Sequence, residues 1–306
     1  MEQPGQYPDP SHTIAHLSDP HLLAGGALQY GHVDTEVRLA AALTRLARLD
    51  PAPQALVFTG DLADKGEPKA YLRLRELVEP VAASLGAQVI WVMGNHDDRA
   101  AYARQLFDED AGTEAPQDRV HDVAGLRVVS LDSTVPGWHH GELSRAQLDW
   151  LADVLATPAP HGTVLAVHHP PIPVPMMRLA EIIELKDQQP LAEVLAGSDV
   201  RAIVGGHFHF SSYSTFAGIP VSVASATCYT SELAPDDRLL SAVDAHQTFT
   251  MVHVYADRVV HSVVPIHDGP EISGYGLNMA APFEALTRED RFDLVSRKDS
   301  PLYAGE

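Results

Sequence analysis

The sequence predicts an α/β fold: a four-layer αββα sandwich in which two mixed β-sheets face each other and helices cover both outer faces. Three observations predict it. Short, β-branched apolar runs alternate with longer segments of helical period through residues 13–204, a pattern of strand–helix–strand units. Beyond Ser211 strand-like runs follow one another without helices, which supplies a second sheet. No self-similarity at solenoid periods interrupts this order, so a repeat architecture is set aside.

Taken in order, residues 13–18, 55–59, 89–93, 126–131, 163–167 and 201–204 are predicted to be buried strands. Between them, residues 34–49, 68–85, 98–107, 144–155 and 185–195 place Leu, Ala and Val at helical spacing. Ser144 with Gln147 has the form of a capping box, and Pro68 suits a first helical position. Residues 212–216, 220–224, 249–255 and 258–266 complete the strands, the last two joined by a turn at Ala256-Asp257. Cys228 and Tyr229 read as residues of the interior sheet. The proline-rich run at residues 170–177 reads as a stiff apolar loop, available as a pocket wall, a dimer contact or core packing. Residues 1–267 thus read as one domain. Residues 268–306, rich in Gly, Pro and charge without a clear period, read as a tail, partly flexible or docked.

Composition restricts the function. With 41 acidic against 21 basic side chains, the formal charge of −20 repels long polyanions, so nucleic acid is not an expected partner. No apolar run approaches the roughly eighteen residues of a membrane span, and the start of the chain lacks a basic segment followed by an apolar one. Cys228 is the single cysteine, which rules out an internal disulfide and a thiolate metal cage and fits a reducing cytoplasm. A small anionic substrate remains compatible if one site is locally positive.

That site is predicted at the carboxyl ends of the strands, where open α/β sheets place ligands. Asp19 and His21 follow the first strand, Asp61 the second, and Asn95, His96 and Asp97 the third. His168-His169 and His207-Phe208-His209 follow two later ones. Any one of these motifs alone describes a turn or a helix cap. Together they offer two carboxylates, one amide carbonyl and four imidazoles, donors suited to Mn²⁺, Fe, Co²⁺ or Zn²⁺. Seven ligands exceed the needs of one such ion once water is counted, whereas two ions sharing a carboxylate use them all. Two divalent ions lower the pKa of bound water toward about 7 and clamp phosphoryl oxygens, so a metal-held hydroxide is the expected nucleophile. An alkoxide leaving group needs a proton, and His96 is the candidate general acid, with Asp97 placed to orient its ring. His139 and His140 precede the Ser144 cap in what reads as a solvated loop, from which His140 is the candidate contact to a substrate phosphate.

The series D-x-H, G-D, G-N-H-D, H and G-H-x-H, in order from Asp19 to His209, resembles that of the calcineurin-like metallophosphoesterases. Residues 168–173 and 220–229 are most similar to the actinobacterial class III cyclic-nucleotide phosphodiesterases. The resemblance implies Asp19, His21 and His209 on a first metal, Asn95, His168 and His207 on a second, and Asp61 bridging. It takes His168 rather than His169 as the ligand and leaves His96 uncoordinated. It further implies hydrolysis of 3′,5′-cyclic nucleotides, cyclic AMP foremost, and is compatible with a homodimer, while the cytoplasmic expectation comes from the composition above. The alternative is a broader esterase of glycerophosphodiesters, 2′,3′-cyclic nucleotides, lipid headgroups or monoesters. A non-catalytic scaffold on the same fold would be free to lose ligands, and none is missing here.

Overall fold

The computed structural model describes residues 6–110 and 115–302. Along the chain run β1 (His12–Leu17), α1 (Thr35–Leu46), β2 (Ala55–Thr59), α2 (Pro68–Leu85), β3 (Gln88–Val92) and α3 (Arg99–Phe107). There follow β4 (Arg119–Val123), β5 (Leu126–Leu131), α4 (Arg145–Leu155), β6 (Thr163–Val167), α5 (Gln188–Leu195) and β7 (Val200–Gly205). Next come β8 (Ser212–Phe216), β9 (Ile219–Val223), β10 (Thr230–Ser231), β11 (Ala242–Val243), β12 (Thr248–Val254) and β13 (Val259–Pro265). Pro10–His267 form one compact unit, while residues 6–9 and 268–302 belong to a second. The second contains α6 (Ala280–Glu284) and α7 (Arg288–Ser296), the latter capped by Thr287, whose hydroxyl accepts from the Asp290 N–H at 3.1 Å. Both helices are short and bury no described side chain, so no apolar period marked them in the sequence.

Two mixed sheets carry the larger unit. One has the order β13-β12-β1-β2-β3, the other β4-β5-β6-β7-β9-β8, and β10 pairs only with β11. The strands β1-β2-β3 and β5-β6-β7-β9 are parallel, so all of their carboxyl ends point the same way within each sheet. The period of two then divides the side chains. On β2, Leu56 and Phe58 pack with Leu39, Leu43, Leu74 and Tyr102 from the helices, whereas Ala55 and Val57 face inward. On β6, Leu165 and Val167 meet Leu151 of α4 and Leu191 of α5, whereas Val164 and Ala166 join Val57, Ile90 and Val252 between the sheets. The four predicted layers are helices, sheet, sheet and helices, and they are present.

β4, β10 and β11 are the strands that the sequence hid: β10 and β11 have two residues each, and along β4 residues 119–122 alternate between half-buried and exposed at a sheet edge, where the polar Arg119, His121 and Asp122 leave no apolar run. The proline-rich loop divides between two of its expected roles: Ile172 and Val174 are buried in the core, Met177 lines a cavity, and Pro173, Pro175 and Met176 are exposed.

The inter-sheet layer also contains polar groups. His16 is fully buried, and its Nδ1 and both ring nitrogens of His261 lack hydrogen-bond partners among the described residues. Burial, reinforced by His261, pushes the His16 pKa down to about 3, and burial with His253 pushes His261 down to about 4. The unfolded chain therefore takes up protons below pH 6.5 that the folded chain refuses, and stability falls as pH drops from 6.5 toward those values. At pH 5 His16 alone is expected to cost roughly 2 kcal/mol. Denaturant midpoints measured at pH 7.5 and pH 5 check this, and His16→Gln should flatten the difference.

Candidate metal centre

Asp19 and His21 lie just past β1, Asp61 past β2, Asn95 and His96 past β3, His168 past β6, and His207 and His209 past β7. Five of these, Asp19, His21, Asp61, His207 and His209, hold positive φ angles between 45° and 75°. Such left-handed backbone is uncommon for residues with a Cβ and costs of order 1–3 kcal/mol each where the surroundings enforce it. Gly206 lets the enforcing strands approach: a Cβ there would strike Ser18 Oγ and lie 2.6 Å from Asp19 Oδ2.

The outward ring nitrogens of the four histidines are all committed to acceptors. His21 donates through Nδ1 to Asp64 Oδ1 (2.9 Å), His168 through Nδ1 to the Thr59 carbonyl (2.7 Å), His207 through Nε2 to the Ile183 carbonyl (2.9 Å) and His209 through Nδ1 to the Tyr229 carbonyl (3.2 Å). Neutral imidazole has one N–H, so the inward nitrogens are bare lone pairs. They nevertheless converge. His21 Nε2 is 3.2 Å from His209 Nε2 and 3.3 Å from Asp61 Oδ2, while Asp19 Oδ1, without a hydrogen-bond partner among the described residues, is 3.4 Å from His209 Nε2. On the other side, His168 Nε2 is 3.0 Å from Asn95 Oδ1, 3.2 Å from His207 Nδ1 and 3.5 Å from Asp61 Oδ2. Asn95 keeps its amide nitrogen for His139 Nδ1 (2.9 Å), so its oxygen is the atom turned inward. Buried acceptors facing one another repel unless a cation or proton sits among them. Two acceptor sets sharing Asp61 Oδ2 therefore have the donor chemistry that two cations would need.

His169 stands outside both sets, since Nδ1 meets Ser133 Oγ (2.8 Å) and Nε2 the His139 carbonyl (3.0 Å). The carboxylate of Asp97 does not orient His96. It accepts from the backbone N–H groups of Leu62, Ala63 and Gly94 and from the Tyr71 hydroxyl, at 2.9 to 3.1 Å. Burial, then the charge of Asp61, raises its pKa to about 6. The orienting acceptor is instead the backbone carbonyl of Asp64, 2.8 Å from His96 Nδ1, while the Asp64 carboxylate holds His21 and Gln29. Asp64, three residues after Asp61, was missed in the sequence because its spacing suggests only a turn. His140 is buried with Nε2 on Glu142 Oε1 (3.0 Å), and it is His139 that lines the cavity over the site. Tyr229, assigned above to the interior sheet, also lines it, because it lies in the segment after β9 that wraps beside His209. The cavity is about 300 Å³, floored by His21, Asp61, Asn95, His96, His207 and His209.

Without cations the acceptors compete for protons. Burial opposes charge on Asp61, yet His168 and His21 outweigh it and hold the carboxyl well below the usual range. Against burial, Asp61 raises His168 to about 9, and Asp61 with Asp64 raises His21 well above its ordinary value. The His168 ring is thus protonated in the metal-free protein at pH 7.5, and His21 is held toward its protonated form. Metal binding must expel such protons, so at least one per chain is expected in calorimetry across buffers of different ionisation enthalpy, with affinity rising as pH approaches 9. A proton count near zero would contradict this.

Residues 12–211 match the model of the calcineurin-like phosphoesterase family. The chain is 53% identical over 295 residues to a cAMP/cGMP dual specificity phosphodiesterase of Mycobacterium tuberculosis, covering 96% of this chain and 92% of that one. It is 54% identical over 261 residues to a probable cyclic nucleotide phosphodiesterase of Rhodococcus erythropolis, covering 85% and 86%. Among solved structures, a dimetal phosphatase from Danio rerio superposes with a TM-score of 0.60 at 16% identity, over 85% of this chain and 98% of that one. That likeness concerns the fold. No helix among the described residues is long and apolar enough to cross a membrane.

Proposed function

Because the chain belongs to the calcineurin-like phosphoesterase family, we propose that it is a metal-dependent phosphodiesterase acting on 3′,5′-cyclic nucleotides, cyclic AMP foremost. The observation that carries this reading is the convergence of seven inward acceptor atoms, from Asp19, His21, Asp61, Asn95, His168, His207 and His209, on two points that share Asp61. Two divalent ions bound there supply Lewis-acid activation of water and a clamp on the phosphoryl oxygens. Imidazole and carboxylate donors suit Mn²⁺, Fe, Co²⁺ or Zn²⁺.

The chain's own groups do the rest. Asp64, Thr59, Ile183 and Tyr229 fix the ring orientations, as outer partners of metal-binding histidines do. His96 keeps Nδ1–H on the Asp64 carbonyl, so it is as the imidazolium, with a second proton on Nε2, that the ring can give the departing oxygen its proton and return to neutral imidazole. The small cavity and the charge of −20 favour a small diester over a polynucleotide. A homodimer in the cytoplasm is part of the same proposal.

Protein loaded with Mn²⁺ should be assayed on 3′,5′-cyclic AMP, 3′,5′-cyclic GMP, 2′,3′-cyclic AMP, glycerophosphocholine and p-nitrophenyl phosphate at matched concentrations. The 3′,5′-cyclic nucleotides should rank first in kcat/KM. If they rank last, the substrate assignment fails while phosphoesterase activity stands.

A further inference from the structure

One side chain at the mouth of the cavity has no explanation in packing. Tyr30 is 69% exposed, yet its backbone is left-handed at φ 52°, inside a tight loop closed by bridge pairing of Gln29 with Val33. A bulky residue there is strained, where Asn or Gly would not be, and an exposed ring recovers none of that cost through burial. The ring is also tethered. Its hydroxyl is 3.2 Å from the hydroxyl of Tyr229, and the two rings meet edge to face at 5.5 Å. Tyr229 in turn packs its ring 4.4 Å from His209 and gives that histidine its carbonyl acceptor. Tyr30 lines the same cavity as His21, Asp61 and Asn95, and so does Leu240, a half-exposed side chain from the loop between β10 and β11.

We propose that the tethered ring of Tyr30 is the platform on which the nucleobase of a cyclic nucleotide stacks, with Leu240 as the apolar cover. This rests on the substrate reading above and adds to it the residue that recognises the base. A cyclic nucleotide has one anionic group, which belongs on the floor of the cavity, and one planar aromatic group, which needs an apolar face. Stacking on an aromatic side chain is tolerant of base identity because every base has a π-face. Tyr30 therefore raises affinity for nucleotides over small diesters while discriminating little between adenine and guanine.

The test compares the wild type with Tyr30→Asn, which fits left-handed backbone but lacks the ring, and Tyr30→Phe, which keeps the ring but loses the tether. Substrates are 3′,5′-cyclic AMP, 3′,5′-cyclic GMP and the 3′,5′-cyclic phosphate of methyl riboside, which has the same scissile bond and no base. Tyr30→Asn should raise KM for both nucleotides about 10-fold with kcat nearly unchanged, leave KM for the base-free compound unaltered, and retain the wild-type melting temperature. Tyr30→Phe should fall between. An equal rise in KM on all three substrates, or a fall in kcat at constant KM, would overturn the platform while leaving the function intact. If the wild type hydrolyses none of the three, the substrate reading and the platform fall together.

Discussion

Asp61→Ala should abolish turnover and leave the protein unable to retain two metal ions. Asp61 Oδ2 is the one atom common to both acceptor sets, 3.3 Å from His21 Nε2 and 3.5 Å from His168 Nε2. Its other oxygen accepts from the His96 backbone N–H at 2.8 Å, so the same carboxylate also fixes the segment that bears the candidate acid. Outer partners of metal ligands cost roughly 10- to 100-fold when removed, and a shared inner ligand should cost well above that range. The metal-free variant should change as well: without Asp61, the strongest cause of the raised His168 pKa is gone, and fewer protons will be bound at pH 7.5. Metal content after gel filtration, turnover at saturating Mn²⁺ and the proton count on metal addition together check the prediction. A variant that holds two ions per chain and keeps a tenth of the activity would remove Asp61 from the bridge.

The residues of this centre were readable in the sequence because chemistry and topology coincide: each candidate follows an apolar strand, and a parallel strand delivers whatever follows it to one end of the sheet. Alternation along β2 and β6 likewise carried the layers, since Leu56 and Phe58 face the helices while Ala55 and Val57 face the other sheet. What the sequence withheld depends on direction. Asp97 looked like the partner of His96 because it is adjacent, but the backbone N–H groups of Leu62 and Ala63 need an acceptor and take its carboxylate. His139 and His140 are indistinguishable in sequence, and only the turn of the chain decides that one faces the cavity and the other Glu142. The left-handed conformations of Asp19, His21, Asp61, His207 and His209 have no compositional signal either. They aim side chains that an extended backbone would send elsewhere, and in the function proposed above metal binding would be the gain that offsets them.

His96→Ala should separate proton donation from metal binding. His96 contributes none of the inward acceptors. Its ring lies 4.7 Å from that of His21 and 5.3 Å from that of His139, with Nδ1 given to the Asp64 carbonyl. The variant is therefore expected to keep two ions and wild-type folding. On 3′,5′-cyclic AMP, whose departing ribose oxygen is a poor leaving group unless protonated, kcat should fall about 10²- to 10⁴-fold, the usual contribution of general acid–base catalysis. On bis(p-nitrophenyl) phosphate the leaving phenolate needs no proton, so the same variant should lose only a small part of that factor. Asp97→Asn supplies the contrast. Its carboxylate serves the backbone rather than the His96 ring, so it should lower the melting temperature and affect both substrates alike. Were His96→Ala to slow the two substrates equally, the ring would be positioning substrate, and the proton would have to come from elsewhere, with His139 an imidazole that lines the cavity outside both acceptor sets.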